Sequence, residues 1–462
     1  PDEAVEPPPP HRDLDEQEIG AYGADSIGDL VQKVAPLIDG SGEAPILLVN
    51  GKRIGDPSEI TGYPPEALAK LAILPPEAAS RYGYAAGKRV VNLELKKHFV
   101  SWTTDAGITA PTAGGRYTAQ LSAGRAVIDG HTRWNATASL SRDTALWKSA
   151  RDIPLSDADA ALARSIVNSA NMDAAIDPHR YETLASSGHA VRFNAGVNRP
   201  LGDFAGSLNF GASRSESYQA VGMPVATVTV PSATGPQMVS QLIRADALAS
   251  DQRSTAFNIG ASLSGPVAGW QASLALRYSN NRGNNQYERG YDASAVQQLV
   301  DSGAPDFDPF GVWPEVPLRT DRTTTRSSNL GASLNLSKPI LTLPAGQMTT
   351  SLTLNASQYR SATDLLNATT GITTHNRSRG SQTDGQISFN IPVTSRAQNA
   401  LAALGDIALD LSAAARRASG SGTYYRLHGG ARWSPFPFLD LRAALSHENV
   451  EPTFDQLHGP RM

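Results

Sequence analysis

The sequence predicts a membrane β-barrel, about thirteen antiparallel strands of a larger barrel, preceded by a small N-terminal α/β domain. Three observations carry that prediction. Beyond residue 98 the chain is a succession of short runs that strictly alternate apolar and polar residues, each a strand with one apolar and one polar face. The connections between those runs alternate between tight turns and long loops, as in outer-membrane barrels, whose two ends carry unlike connections. The first hundred residues follow a different pattern, with helical periodicity and hairpin signals.

Composition fits this class and excludes others. The 462 residues carry a net charge of −4, which leaves no electrostatic footprint for nucleic acid. There is no cysteine, hence no disulfide framework and no thiolate metal site. No run of eighteen apolar residues exists for a transmembrane helix, and the polar average is what alternating barrel strands produce. The chain opens on Pro1 with no charged-then-apolar leader, which reads as a processed chain.

Along the chain, residues 1–24 are acidic and rich in proline, with four consecutive prolines from Pro7 to Pro10, and read as an extended tether. In SIGDLVQKVAPLI, Ile27, Leu30, Val31 and Val34 recur at helical spacing, Ser26 is the N-cap with Asp29 three residues on, and Pro36 ends the helix. In ILLVNGKRI, Asn50-Gly51 marks a hairpin turn between two apolar runs. PPEALAKLAIL is a short helix passing into a strand, and VVNLELK alternates as another. Residues 25–97 form a unit small enough to be marginal alone.

From residue 98 onward the strands centre on SWTTDAG, RYTAQLSAG, RWNATASLS, VRFNAGV, SLNFGAS, FNIGASLS, WQASLALRY, NLGASLNLS, TSLTLNAS, QISFNI, DIALDLSAA, YRLHGGARW and LDLRAAL. The long loops run roughly over residues 143–189, 216–252 and 281–326, all at one end. Leu274 and Leu334 fall on the apolar faces, and Arg277 and Asn335 on the polar ones. Trp134, Trp270, Tyr278, Tyr425 and Trp433, near strand ends, fit interfacial girdles.

RYGYAAGKRVVNLELKK contains Gly83-x-x-x-Gly87-Lys88. A phosphate loop needs four residues between its glycines, a Ser or Thr after the lysine, and a helix to follow. Here there are three, Arg89 follows, and a strand comes next.

Taken in order, LLVNGKRI, PPEALAKLAILPPEAASRYG and GKRVVNLELKK resemble the plug domain of TonB-dependent outer-membrane receptors. The matching positions are Leu48-Val49-Asn50-Gly51, Pro64-Pro65-Glu66, Ile73-Leu74, Tyr82-Gly83 and the strand from Val90 to Lys97. The chain departs from the pattern at Pro75-Pro76, where lysine-glycine is usual, and shows no TonB-box segment before Ile27. The resemblance implies a plug over residues 25–97 and, over residues 98–462, the N-terminal part of a barrel of about 22 strands. It also implies uptake of a scarce ligand, driven through the TonB complex. The alternative is a plugged, non-transporting barrel that scaffolds an outer-membrane assembly. The location implied is the bacterial cell outer membrane. The thirteenth strand rises to the loop end and a single-chain barrel has an even count, so a second chain or segment is expected to complete the wall.

No catalytic constellation, metal set or cofactor motif is present: there is no His-Glu-x-x-His and no Gly-x-Ser-x-Gly. Asp306-x-Asp308 with Gly311 hints at a calcium loop, but Phe310 stands at a ligand position and no Glu closes it. Arg277, Arg426, Arg432 and Arg442 sit on polar strand faces; in a barrel they guide an anionic substrate through the lumen, or else solvate the wall and pair with plug carboxylates. Lys52, Arg53, Arg81, Lys88 and Arg89 form a basic set in the plug with the same two readings. The partners expected are outer-membrane lipid, the completing segment, the TonB complex and an unidentified ligand, with no nucleic acid.

Overall fold

The computed structural model describes residues 12–38, 45–54, 57–74, 89–166, 176–419, 422–436 and 439–449. The N-terminal unit contains β1 (Arg12–Asp15), α1 (Glu16–Ala21), α2 (Ile27–Ile38), β2 (Ile46–Val49), β3 (Lys52–Arg53), the one-turn α3 (Ser58–Thr61), β4 (Leu68–Leu74) and β5 (Val90–Leu95). Its sheet runs β1-β4-β5-β2-β3, with β2 and β5 parallel and the other pairs antiparallel. Ser26 Oγ caps α2 by accepting the Asp29 N–H at 3.1 Å. Asn50 and Gly51 both have positive φ, 49° and 74°, as the two-residue turn between β2 and β3 requires. Leu30 and Val34 of α2 are buried with Leu71, Ile73, Val91 and Leu93 on one face of the sheet.

Two expectations for this region are corrected. The tether does not extend to residue 24: β1 pairs with β4, and Leu14 and Ile19 are 1% and 3% exposed in the core. The signal outweighed by proline composition was local, a capping box in which Asp15 accepts the Glu18 N–H at 2.9 Å and Glu18 accepts the Asp15 N–H. The helix α2 also continues two residues past Pro36, to Ile38.

Among the described residues the wall is one thirteen-stranded antiparallel sheet. Its strands are β6 (His98–Thr109), β7 (Thr118–Asp129), β8 (Thr132–Asp143), then, beyond two short loop strands β9 (Leu146–Trp147) and β10 (Thr183–Ala185), β11 (Ser187–Leu201) and β12 (Phe204–Gly222). After a loop hairpin, β13 (Val225–Val230) and β14 (Gln237–Leu242), come β15 (Leu248–Val267), β16 (Trp270–Tyr291), β17 (Leu318–Leu343), β18 (Gly346–Asn367), β19 (Ile372–Thr394), β20 (Asp406–Ala418), β21 (Thr423–Phe436) and β22 (Leu439–Glu448). Each wall strand pairs with its neighbour in sequence, and β6 and β22 are the two edges, not paired with each other among the described residues. The thirteen alternating runs of the sequence are these thirteen strands.

One face of the wall carries the N-terminal unit. Ala126 and Ile128 of β7 are 5% and 3% exposed and belong to that unit's core cluster, with Phe99 packed beside them. From Ala126 a continuous row of directly opposed residues runs Asn135, Gly196, Asn209, Gly260, Arg277, so all of these lie on the face of the sheet that carries the N-terminal unit. The opposite face holds the row Leu263, Leu274, Leu334, Leu354. Leu274 therefore faces outward with Leu334, and Arg277 inward with Asn335, as their alternation predicts.

The outward face of β16 is apolar over five positions, Trp270, Ala272, Leu274, Leu276 and Tyr278, and then turns to Asn280 and Arg282. On β21 the outward positions run from Tyr425 through Leu427, Gly429 and Ala431 to Trp433. Each stretch is bounded by Tyr towards the loop end and Trp towards the turn end. At about 3.3 Å per residue the band is about 26 Å long along the strand, which at a barrel strand's tilt of about 40° spans about 20 Å of the lipid-facing zone, with aromatic borders. The architecture is that of an outer-membrane-type β-barrel wall with an α/β unit on its inner face, the sheet remaining open.

The connections depart from expectation in length. Much of the expected loop is strand, since β12 runs to Gly222, β16 to Tyr291 and β17 starts at Leu318. There both faces are polar, so the alternation that reveals a strand disappears. At the loop end, β18–β19 and β20–β21 are joined by short connections, while the turn-end connection from Thr394 to Asp406 is the longer one.

Candidate functional site

The inner face of the wall bears the row Asn258, Ser279, Asn329, Tyr359, directly opposed on four adjacent strands and next to the Arg277 row. With Asn281 and Ser357 these residues line a depression of about 430 Å³. Tyr359 continues the row against Gly380, where a Cβ would collide with its ring, so a glycine is needed for the ring to lie flat on β19. The lining offers amide and hydroxyl donors and acceptors and no carboxylate. Below it, Arg277 stands between Gly260 and Gly331, which leave its side chain room.

The four arginines singled out from the sequence all face inward but do not form one site. Arg277 is on β16, whereas Arg426 and Arg432 are on β21 and Arg442 on β22. Arg426 Nε contacts Glu448 Oε2 at 2.7 Å, and Arg432 is directly opposite Arg442. Arg277, Arg432 and Arg442 each have a partner. Of the basic set in the N-terminal unit, Lys52 and Arg53 form the edge strand β3, and Arg89, which precedes β5, has a partner. Arg81 and Lys88, with the glycines of the Gly83–Gly87 stretch, lie outside the described residues. Asp308 is used locally, accepting the Phe310 N–H at 2.9 Å in a turn. Among the described residues no group of three His, Asp or Glu is arranged to hold a metal.

Sequence reasoning missed the organisation of the long loops. The β13–β14 hairpin packs with helix α5 (Ser294–Asp301), α4 being Asp157–Ser165, and with the segment after α5. Ala226, Val228, Val239, Val296, Trp313 and Val316 are buried together as a second core. Gln297 fastens α5 to β13, donating to Thr229 O at 2.9 Å and accepting the Thr229 N–H at 2.8 Å. Ser165 Oγ at the end of α4 lies 2.8 Å from Ser240 Oγ of β14. Three long connections therefore join in one cap at the loop end. The readable signal was VATVTV, an alternating run inside a stretch assigned to a loop.

Charges on the cap's supports are compensated. Glu216 lies between Arg214 and Arg253, at 2.6 and 2.9 Å; the hydrogen bond from Arg214 leads in holding its carboxyl below the ordinary range, with Arg253 adding to it. Asp321 accepts the Ala368 N–H at 2.8 Å and Arg289 Nε at 2.7 Å, and the backbone contact leads in lowering its pKa, with Arg289 behind it.

No family model matches the chain, and no curated protein sequence matches it. Among solved structures it is similar to the siderophore receptor PirA from Acinetobacter baumannii, at 11% identity and a TM-score of 0.43, covering 87% of this chain and 53% of that one. It is similar to FpvA of Pseudomonas aeruginosa bound to heterologous pyoverdines, at 11% identity and a TM-score of 0.45, over 94% of this chain and 55% of that one. The siderophore receptor PirA from Pseudomonas aeruginosa follows at 13% and 0.42, over 94% and 61%. The chain spans between 53% and 61% of the length of these three structures.

Proposed function

We propose that this chain is the plug and the first part of the barrel wall of a TonB-dependent-receptor-like protein of the bacterial outer membrane, which takes up a ligand through its lumen. The observation that carries the reading is the seating of the N-terminal unit: its core is continuous with Ala126 and Ile128 on the inner face of β7. A wide barrel leaks unless its lumen is filled, and a small unit gains from the wall the burial it lacks alone. In this reading residues 25–97, together with β1 and α1, close the lumen, and the three-loop cap admits the ligand. The inner row from Asn258 to Tyr359 meets it with neutral hydrogen-bonding groups, and Arg277 stands beneath.

The wall needs further strands. An edge strand in hydrocarbon leaves backbone groups unpaired at several kcal/mol each, so β6 and β22 must be covered by another segment of the wall. Retention of the purified barrel on the immobilised periplasmic domain of TonB, with a small molecule released from the lumen on denaturation, is the expected result. Absence of both in a correctly inserted barrel would leave the scaffold as the reading.

A further inference from the structure

Above the apolar band the outer face of β16–β19 becomes cationic. Arg282 of β16 is directly opposite Arg326 of β17, and Arg326 is opposite Ala362, itself opposite Arg377 of β19. One outward row nearer the band, Arg360 of β18 is directly opposite Arg379 of β19. All five guanidinium groups are exposed, and among the described residues none of them forms an ion pair. Asp364, a carboxylate beside the set, is bound to His375 Nδ1 at 2.6 Å, with Arg377 and Arg326 acting on it only through space. Arg326, Arg360, Arg377 and Arg379 line an outward depression of about 490 Å³ with Asn280 and Ser328.

Like charges directly opposite on neighbouring strands destabilise a sheet. The contrast with β12–β15 is instructive, because there Glu216 lies between Arg214 and Arg253. On β16–β19 that counter-charge is missing from the set itself, and the position suggests where it comes from. The set begins where the outward face changes from Leu330, Leu354 and Tyr278 to Ser328, Arg360 and Asn280, which is the headgroup level of a membrane.

Resting on the membrane reading above, we infer that this patch binds the phosphate groups of a phosphorylated glycolipid of the outer leaflet, with the acyl chains lying on the apolar band below. Guanidinium forks take phosphate oxygens two at a time. A free phosphate would use the same forks but would gain nothing from the adjoining apolar surface. That difference separates the two sources.

The test uses the full chain, purified in detergent with whatever completes its wall, and diphosphoryl lipid A and its dephosphorylated form as probes. The wild type is expected to retain the phosphorylated lipid selectively. Arg326→Gln, Arg360→Gln, Arg377→Gln and Arg379→Gln together are expected to lower affinity for the phosphorylated lipid about a thousandfold, at a contribution of about 1 kcal/mol per basic group. Millimolar inorganic phosphate is expected not to displace the lipid. Equal retention of both lipids, or unchanged retention by the fourfold variant, overturns the inference, and displacement by inorganic phosphate overturns the lipid as its source. Should the fourfold variant fail to fold, Arg326→Gln and the wild-type selectivity decide. The membrane reading is checked separately, by recovery of the chain in the outer-membrane fraction with its cap open to protease on whole cells. Its failure there is distinct from a negative result in micelles.

Discussion

Asn50 and Asn92 lock the hairpin turn of the N-terminal unit to its central strand by exchanging backbone contacts. Asn92 Oδ1 accepts the Gly51 N–H at 2.8 Å, and Asn50 Oδ1 accepts the Leu95 N–H, also at 2.8 Å. Asn92 is only 5% exposed, so Asn92→Ala leaves the Gly51 donor with no protein partner, at a cost of about 1–3 kcal/mol. Faster hydrogen exchange at Gly51, with the wall strands unchanged, is the expected readout.

Facing is tested by a pair of substitutions on β16. Leu274→Arg puts a charge in the outward apolar band and is expected to cost about 2–4 kcal/mol, seen as loss of the assembled form in outer-membrane fractions. Ser279→Arg, on the inner face and exposed, is expected to assemble normally. Ser273 is a poorer control, since the structure leaves it only 8% exposed.

Trp313 anchors the loop cap, 7% exposed with its indole N–H donated to Pro309 O at 2.9 Å. Trp313→Ala is expected to destabilise the cap by about 3–5 kcal/mol. Limited proteolysis should then cut within residues 292–317 while the wall keeps its resistance to heat and detergent. Equal resistance of that loop in both proteins would mean the cap has no core of its own.

Acid should release the turn between β18 and β19. Asp321 holds Ala368, and its folded-state pKa lies below the ordinary carboxylate value of about 3.9. The stabilisation is therefore complete above that ordinary value and is lost as pH falls through the lower folded one. Protection of the Ala368 amide, its exchange relative to the intrinsic rate at each pH, should be unchanged from pH 7 to pH 5 and fall only below pH 4, whereas Asp321→Asn should remove this acid dependence.

The two edges of the sheet are expected to meet protein that this sequence does not contain. Photo-crosslinkers at outward positions of β6 and β22, such as Ile108 and Leu445, 79% and 80% exposed, should capture further barrel peptides in isolated membranes. Capture of lipid alone at both would refute a completed wall.

The sequence made the wall legible where one face of each strand is apolar. From Trp270 to Tyr278 the alternation marks strand, facing and both borders of the band, and the same holds from Tyr425 to Trp433. It failed where both faces are polar: Asn280 to Tyr291 is strand, yet its pattern is that of a loop. The cap was hidden for a related reason, because Val228, Val296 and Trp313 come from separate connections and meet only in the fold. The inner row of Asn258, Ser279, Asn329 and Tyr359 is made of ordinary polar-face residues, and only register brings them together. Arginines could be assigned to a face from the sequence, but their distribution over distant strands could not be read without the strand order.

Pairing every wall strand with its neighbour in sequence also sets an order of formation. Turns such as Ala268-Gly269 close a hairpin over two residues, whereas the connection from β8 to β11 must close about forty. Chain-closure entropy favours the short turn by about 2.6 kcal/mol, so β7–β8, β11–β12, β15–β16 and β17–β18 are the natural first units, each joined later across the loop end. Growth is then a templated addition of hairpins, one ready-made edge receiving the next. Pulse-labelled exchange during refolding should protect the amides bonded between β15 and β16 ahead of those bonded between β12 and β15, whose strands are joined through the cap.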